Sequence, residues 1–239
     1  MTKEEFKIFD TPQRTAEAFG DYLMDQAAGK SSFHVVLSGG STPKILFDYL
    51  AQKYAQSDLW KNIHFYWGDE RCVPPTDDQS NYKMTKERLF DHVDIPAANI
   101  HRILGEEDPQ EEAKRYEQEI TNHVPVMNDQ PIFDLIILGM GEDGHTASIF
   151  PHQLELLDDE RICAVAKHPE SGQLRVTLNG PAINAASEVV FLVTGAGKKA
   201  KINEIYHQSG DWKSYPAAHI RPVGRLFWYV DAAAVEGII

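Results

Sequence analysis

Asp143 and His145 stand two residues apart in the segment LGMGEDGHTASIFP (138–151), which also carries Gly139, Gly141 and Gly144. Histidine is the side chain whose ordinary pKa lies closest to physiological pH, so it can take up a proton and return it. An isolated histidine is more often a packed or surface residue. The setting of His145, inside a glycine-rich turn and beside a carboxylate, makes it a candidate general base, with Asp143 to orient or polarise the ring. The spacing of Gly139, Gly141 and Gly144 also satisfies GxGxxG, the fingerprint of dinucleotide-binding turns. That signal is weak here. Pro151 limits any following helix to about two turns, and no acidic strand end follows about 20 residues on.

Other segments offer places to hold an anion. In LSGGSTP (37–43), Gly39 and Gly40 permit a tight turn and Pro43 is expected to start a helix. Backbone N–H groups there, with the hydroxyls of Ser41 and Thr42, can cradle a phosphate; a plain glycine turn with a capping hydroxyl reads the same way. The GxxxxGK[ST] pattern is missing, which argues against a nucleotide P-loop. In WGDERCVPP (67–75), Asp69, Glu70 and Arg71 lie side by side after an apolar run. Arg71 can clamp an oxyanion through its planar fork, and a solvated turn is the alternative. Arg175, at the head of RVTLNGP, and Lys198, after TGAG, are two further cations at strand ends. Lys199 and Lys201 read as surface charges, Asn81 as a helix N-cap, and Asp69, Gly141 and Gly144 as further cleft residues. His152, His168 and His219 are open between cleft and surface, and Asp231 reads as a capping residue.

These positions need a frame that gathers strand ends. Apolar, β-branched and aromatic runs at 33–38, 63–67, 132–139, 188–195 and 226–231 predict strands, with weaker runs at 100–104, 162–166 and 175–179. Thr11–Pro12 and Asp108–Pro109 each pair an N-cap with a first-turn proline, and helices are also expected over 43–55, 81–90, 181–186 and 198–208. Strands alternating with helices predict an α/β fold, Rossmann-like, with a mainly parallel sheet and helices on both faces, in a single domain spanning 1–239. Ligands of such sheets bind beyond the carboxyl ends of the strands. The candidate residues fall at those ends.

Composition narrows the partners. Of 239 residues, 42% are hydrophobic and 25% charged, as expected of a folded globular chain. There are 23 Lys and Arg against 36 Asp and Glu, a net charge of −13, which repels nucleic acid and anionic membranes but leaves room for a small anionic substrate. Cys72 and Cys163 make neither a disulfide framework nor a zinc motif. The polar start MTKEEFKIFD lacks the apolar centre of a secretory signal, and no apolar run is long enough to span a bilayer, so a cytoplasmic location is expected.

Taken together, SGGSTP, DERCVP followed by SNY, GMGEDGHTASIFP, RVTLNGPAIN, FLVTGAGK and RLFWYVDAAA resemble the soluble α/β 6-phosphogluconolactonases, in order and over about residues 8–235. The resemblance implies hydrolysis of 6-phospho-D-glucono-1,5-lactone to 6-phospho-D-gluconate in the oxidative pentose phosphate pathway. It also implies no cofactor and no metal, a sugar-phosphate as the partner, and a monomer or small homo-oligomer. On this reading Gly39, Gly40, Ser41, Thr42, Arg71, Arg175 and Lys198 hold the phosphate, His145 activates water, and N–H groups of the glycine turn stabilise the oxyanion. Kinship with glucosamine-6-phosphate deaminases is implied too. Those carry a glutamate before the proline of a GHIAFNEP-like segment and read DEY, whereas this chain has Phe150 before Pro151 and Arg71 after Glu70. The alternatives are that deaminase, a non-catalytic sugar-phosphate sensor and an NAD(P)-binding protein.

Overall fold

The structure, a computed structural model, describes residues 4–239. The strands are β1 (Glu4–Phe9), β2 (Phe33–Leu37), β3 (Ile63–Trp67), β4 (Asp69–Arg71), β5 (Val126–Met127), β6 (Gln130–Pro131), β7 (Leu135–Leu138), β8 (Cys163–Lys167), β9 (Leu174–Leu178), β10 (Glu188–Val193) and β11 (Arg225–Asp231). The helices are α1 (Pro12–Ala27), α2 (Ser41–Lys53), α3 (Asn81–Arg88), α4 (Pro109–His123), α5 (Gly180–Asn184), α6 (Lys199–His207) and α7 (Ala232–Val235).

Six strands form one sheet in the order β1-β11-β10-β7-β2-β3, and every pairing in it is parallel. The α/β class expected from the sequence is what the chain adopts. All five residues of β2, all four of β7 and all six of β10 are buried, which explains their almost unbroken apolar character: strands covered on both faces have no solvent side to mark with polar residues. Connections run from β2 outward to β3, then return to β7 on the other side of β2. The order therefore reverses between β2 and β7, and a crevice opens beyond their carboxyl ends. A second, antiparallel sheet, β4-β9-β8, stands beside this crevice.

Helix starts follow the predicted chemistry. Thr11 Oγ1 accepts from Arg14 N at 3.2 Å, and Asp108 Oδ1 accepts from Gln110 N and Glu111 N at 3.0 and 3.1 Å. Two local expectations are corrected, and one strand lies where none was predicted. The run at 100–104 forms no strand; only Ile100 makes a bridge, to Phe65. Helix α2 starts at Ser41, two residues before Pro43, because Gly40 takes φ +117° and serves as its N-cap. Residues Glu4–Phe9 form a parallel edge strand, β1, with Phe6 stacked on Trp228 at 5.6 Å. None of the described helices is long and apolar enough to cross a membrane.

Candidate active site

A cleft of about 200 Å³ lies at the reversal point, lined among others by Gly39, Thr42, Arg71, Asn81, His145 and Arg175. The loop after β7 brings His145 to its wall. Asp143 Oδ1 accepts from the His145 ring at Nδ1, 2.6 Å away, and from the His145 backbone N–H at 3.1 Å. Burial alone would raise the Asp143 pKa, but the hydrogen bond and charge of His145, with backbone N–H donors, outweigh it and hold the carboxyl at about 2. An ionised Asp143 accepts only, so in the neutral ring the proton sits on Nδ1 and the lone pair on Nε2. Nε2 has no hydrogen-bond partner among the described residues. Asp143 does not line the cleft, so it acts on the ring from behind.

Glycine at 141 is what allows this pair to form. A Cβ there would lie 2.2 Å from His145 Nδ1 and 2.6 Å from Asp143 Oδ1. Gly144 takes φ +84°, a conformation that favours glycine, and a Cβ on it would collide with the Tyr215 ring at 2.6 Å. Phe150, fully buried, packs against the His145 ring with centroids 4.8 Å apart.

The opposite wall is cationic. Arg71 and Arg175 are direct partners across the antiparallel β4–β9 ladder. Like charges placed opposite each other in a sheet are unfavourable, and the Nε of each is buried with no hydrogen-bond partner. Asp69 offsets part of this charge: its Oδ2 lies 3.7 Å from Arg175 Nη1 and accepts from the Ser148 hydroxyl at 2.6 Å. Burial pulls the Arg175 pKa down, chiefly by desolvation, with Asp69 opposing and Arg71 adding to it. An anion between the two guanidinium groups would relieve both the repulsion and the unmet donors. Lys198 lines the same cleft and makes no ion pair among the described residues. On the adjoining loop, Gly39, Gly40, Ser41 and Thr42 form the start of α2, whose first N–H groups have no partner within the helix. The Thr42 hydroxyl is fixed 2.8 Å from that of Thr194.

Each anion-binding and catalytic candidate except Asp143 and Gly144 therefore lines one cleft, and those two sit in the turn behind it. Several roles differ from those expected. Glu70 accepts from the N–H groups of Arg71, Asn81 and Tyr82 and from the Ser80 hydroxyl, so it anchors the start of α3. Ser80, not Asn81, is the N-cap of that helix. Asn81 is buried in the cleft wall, donates to the Asp69 carbonyl at 2.9 Å, and fills the space a side chain at Gly39 would need, with Oδ1 2.1 Å from the Cβ position. No sequence signal marked it, because its role depends on packing against a glycine 42 positions away. The glycine turn supplies fewer oxyanion donors than expected: Gly141 N–H bonds the His145 carbonyl and Gly144 N–H the Gly141 carbonyl. His152 and His168 pack on Phe150, while His219 contacts Trp212 and the Lys213 carbonyl. Lys199 pairs with Glu236 at the surface, but Lys201 is tied to the Tyr215 hydroxyl. Asp231 caps α7 and accepts from Gly195 N, as expected.

The family described as glucosamine-6-phosphate isomerases/6-phosphogluconolactonase matches residues 10–228. This chain belongs to that family. The 6-phosphogluconolactonase of Haemophilus influenzae is 46% identical over 230 residues, covering 95% of this chain and 97% of the relative. That of Synechocystis is 43% identical over 206 residues, covering 85% and 84%. Among solved structures, a devB protein superposes with a TM-score of 0.93 at 45% identity, covering 97% of this chain and 98% of that one. The 6-phosphogluconolactonase of Trypanosoma brucei has a TM-score of 0.84 at 27% identity, with both chains fully covered. A monomeric glucosamine-6-phosphate deaminase shares the fold, with a TM-score of 0.80 at 18% identity, covering 96% and 98%.

Proposed function

We propose that this protein hydrolyses 6-phospho-D-glucono-1,5-lactone to 6-phospho-D-gluconate, the lactone-opening step of the oxidative pentose phosphate pathway. The observation that carries this reading is the Asp143–His145 pair facing an Arg71–Arg175 wall, only partly offset by Asp69, across one small cleft. The names of the similar lactonases support the choice of substrate.

The phosphate binds between Arg71 and Arg175, with Lys198 and the Gly39–Thr42 helix start contributing donors. That anchorage places the lactone carbonyl near His145. Nε2 takes a proton from water as the water attacks the carbonyl carbon, giving a tetrahedral oxyanion and an imidazolium that Asp143 stabilises. Collapse breaks the ring C–O bond, and Nε2 returns its proton to the departing ring oxygen. The product is the open-chain acid. Asp143 keeps the ring in the required tautomer and does not itself change protonation state.

The deaminase reading is disfavoured at one position. The residue before Pro151 is Phe150, an apolar ring packed at a tilt against His145, where the deaminases the chain resembles carry a glutamate for proton transfer. The deciding experiment generates the lactone in situ and follows its loss with and without protein, corrected for spontaneous hydrolysis. Acceleration that falls about 10²–10⁴-fold in His145→Ala supports the reading. No acceleration by the parent protein, or ammonia release from glucosamine 6-phosphate, refutes it.

A further inference from the structure

Away from the cleft, toward the amino ends of the strands, four of the ten histidines converge. His34 and His64 are the second residues of β2 and β3, paired in register, with rings stacked 4.9 Å apart. His64 Nδ1 lies 3.2 Å from His101 Nε2, and the Tyr66 ring lies flat on the His101 ring at 4.5 Å. His101 Nδ1 is 2.7 Å from Glu119 Oε1, and His123 Nδ1, one turn further along α4, is 3.6 Å from that same oxygen.

We infer that His101, Glu119 and His123 form a binding site for a divalent transition-metal ion of intermediate softness, of which zinc is the representative. One ligand atom from each residue lies within 4.8 Å of the other two. A single ion with bonds of about 2.0–2.2 Å can bridge such a set after small side-chain rotations. Two imidazoles and one carboxylate suit zinc, and a fourth position would open toward solvent on the side of His123. Calcium and magnesium prefer all-oxygen shells, which this set does not provide.

The surroundings are organised as metal ligands require. His101 has 2% of its side chain exposed, and its ring is clamped by Tyr66 and His64. A hydrogen bond from His101 Nε2–H to His64 Nδ1 leaves Nδ1 of His101 as the coordinating nitrogen, the outer-shell support typical of ligating histidines. Glu119 and His123 are four residues apart on one face of α4 and are partly exposed, so an ion has a path in. Because His101 follows the Phe65–Ile100 bridge, bound metal would clip α4 to the β3 edge of the main sheet.

The test uses the full chain stripped with chelator and titrated with zinc ions by calorimetry. The expected result is one equivalent bound by the parent and by His145→Ala, with affinity at least tenfold weaker in His123→Ala and in Glu119→Gln. Zinc should also raise the Tm of the parent and not that of His123→Ala, since an ion that binds the folded state stabilises it. His145→Ala separates this site from metal captured in the cleft, and the half-exposed His123 can be truncated without opening the core. Failure of the parent to bind zinc, or equal binding by parent and His123→Ala, overturns the inference.

Discussion

Replacing Gly141 by alanine tests how strictly the rate depends on the placement of the His145 ring. On the observed backbone the added Cβ would lie 2.2 Å from His145 Nδ1, 2.3 Å from Cε1 and 2.6 Å from Asp143 Oδ1. Ordinary contact begins at 3.4 Å, so the ring and the carboxylate must retreat by about 1 Å. Gly141 is not among the residues with positive φ; alanine is therefore tolerated by the backbone, and the displacement falls on the two side chains. A misplacement of about 1 Å at a reacting group can cost on the order of 10²-fold in rate, about 2.7 kcal/mol of transition-state stabilisation. The anion wall is untouched. In an assay with lactone generated in situ, kcat of Gly141→Ala should therefore fall about a hundredfold while KM stays within a few-fold of the parent. A Gly141→Ala enzyme as fast as the parent, alongside a slow His145→Ala, would show that the Asp143–His145 geometry does not set the rate.

Arg71→Ala should act on binding: one lost charge-assisted contact is worth about 1.5–3 kcal/mol, so KM should rise roughly 10- to 150-fold with kcat little changed. A fall in kcat at constant KM would instead place Arg71 at the reacting carbonyl. Asp143→Asn should lower kcat at every pH by removing the negative partner of the imidazolium. Because the Asp143 carboxyl is held at about 2, it is ionised over the whole working range and protonates only in strong acid. Any acid limb of the kcat/KM profile above pH 4 should therefore survive in Asp143→Asn, and its disappearance would reassign that limb to Asp143. Burial and the nearby Glu70 charge push the Cys72 thiol up to about 11, which favours the unreactive protonated form below that pH, and Cys163 is buried and also raised. Thiol titration of the native protein at pH 8 should be slow at both cysteines and reach two equivalents on denaturation; rapid native labelling of Cys72 would contradict this.

The parts legible in the sequence were those with local causes. Buried parallel strands announce themselves as unbroken apolar runs, as in 135–138 and 188–193. Helix starts were visible at Thr11–Pro12 and Asp108–Pro109 because a cap and a proline sit next to each other. Asp143 and His145 were readable because their partner is two residues away. What escaped depends on contacts distant in sequence. Segment 4–9 looks too polar for a strand because it lies at a sheet edge and none of its six residues is fully buried. Three adjacent charges at 69–71 gave no hint of how they divide: Asp69 turns to Ser148 and Arg175, Glu70 to the start of α3, and Arg71 to the cleft. That division follows from the alternation of side chains along β4, and three residues are too few to reveal it. The run at 100–104 has strand-like composition, yet its His101 is occupied by Glu119 and His64 rather than by a ladder.

The position of β1 has a consequence for synthesis of the protein. Its neighbour in the sheet is β11, with Glu4 opposite Leu226 and the Glu4 carboxylate accepting from Trp228 Nε1 at 2.6 Å. β1 thus leaves the ribosome more than 200 residues before the strand it pairs with. At about 5–20 residues per second, that interval is on the order of ten to fifty seconds, during which Phe6 has no Trp228 to stack on. Closing so long a loop early offers little return, so β1 should dock after β2, β3 and β7 have assembled. The crevice between β2 and β7 needs none of the β1 contacts. The turn carrying Asp143 and His145 can therefore take shape on the nascent chain before β11 and its partner β1 come together.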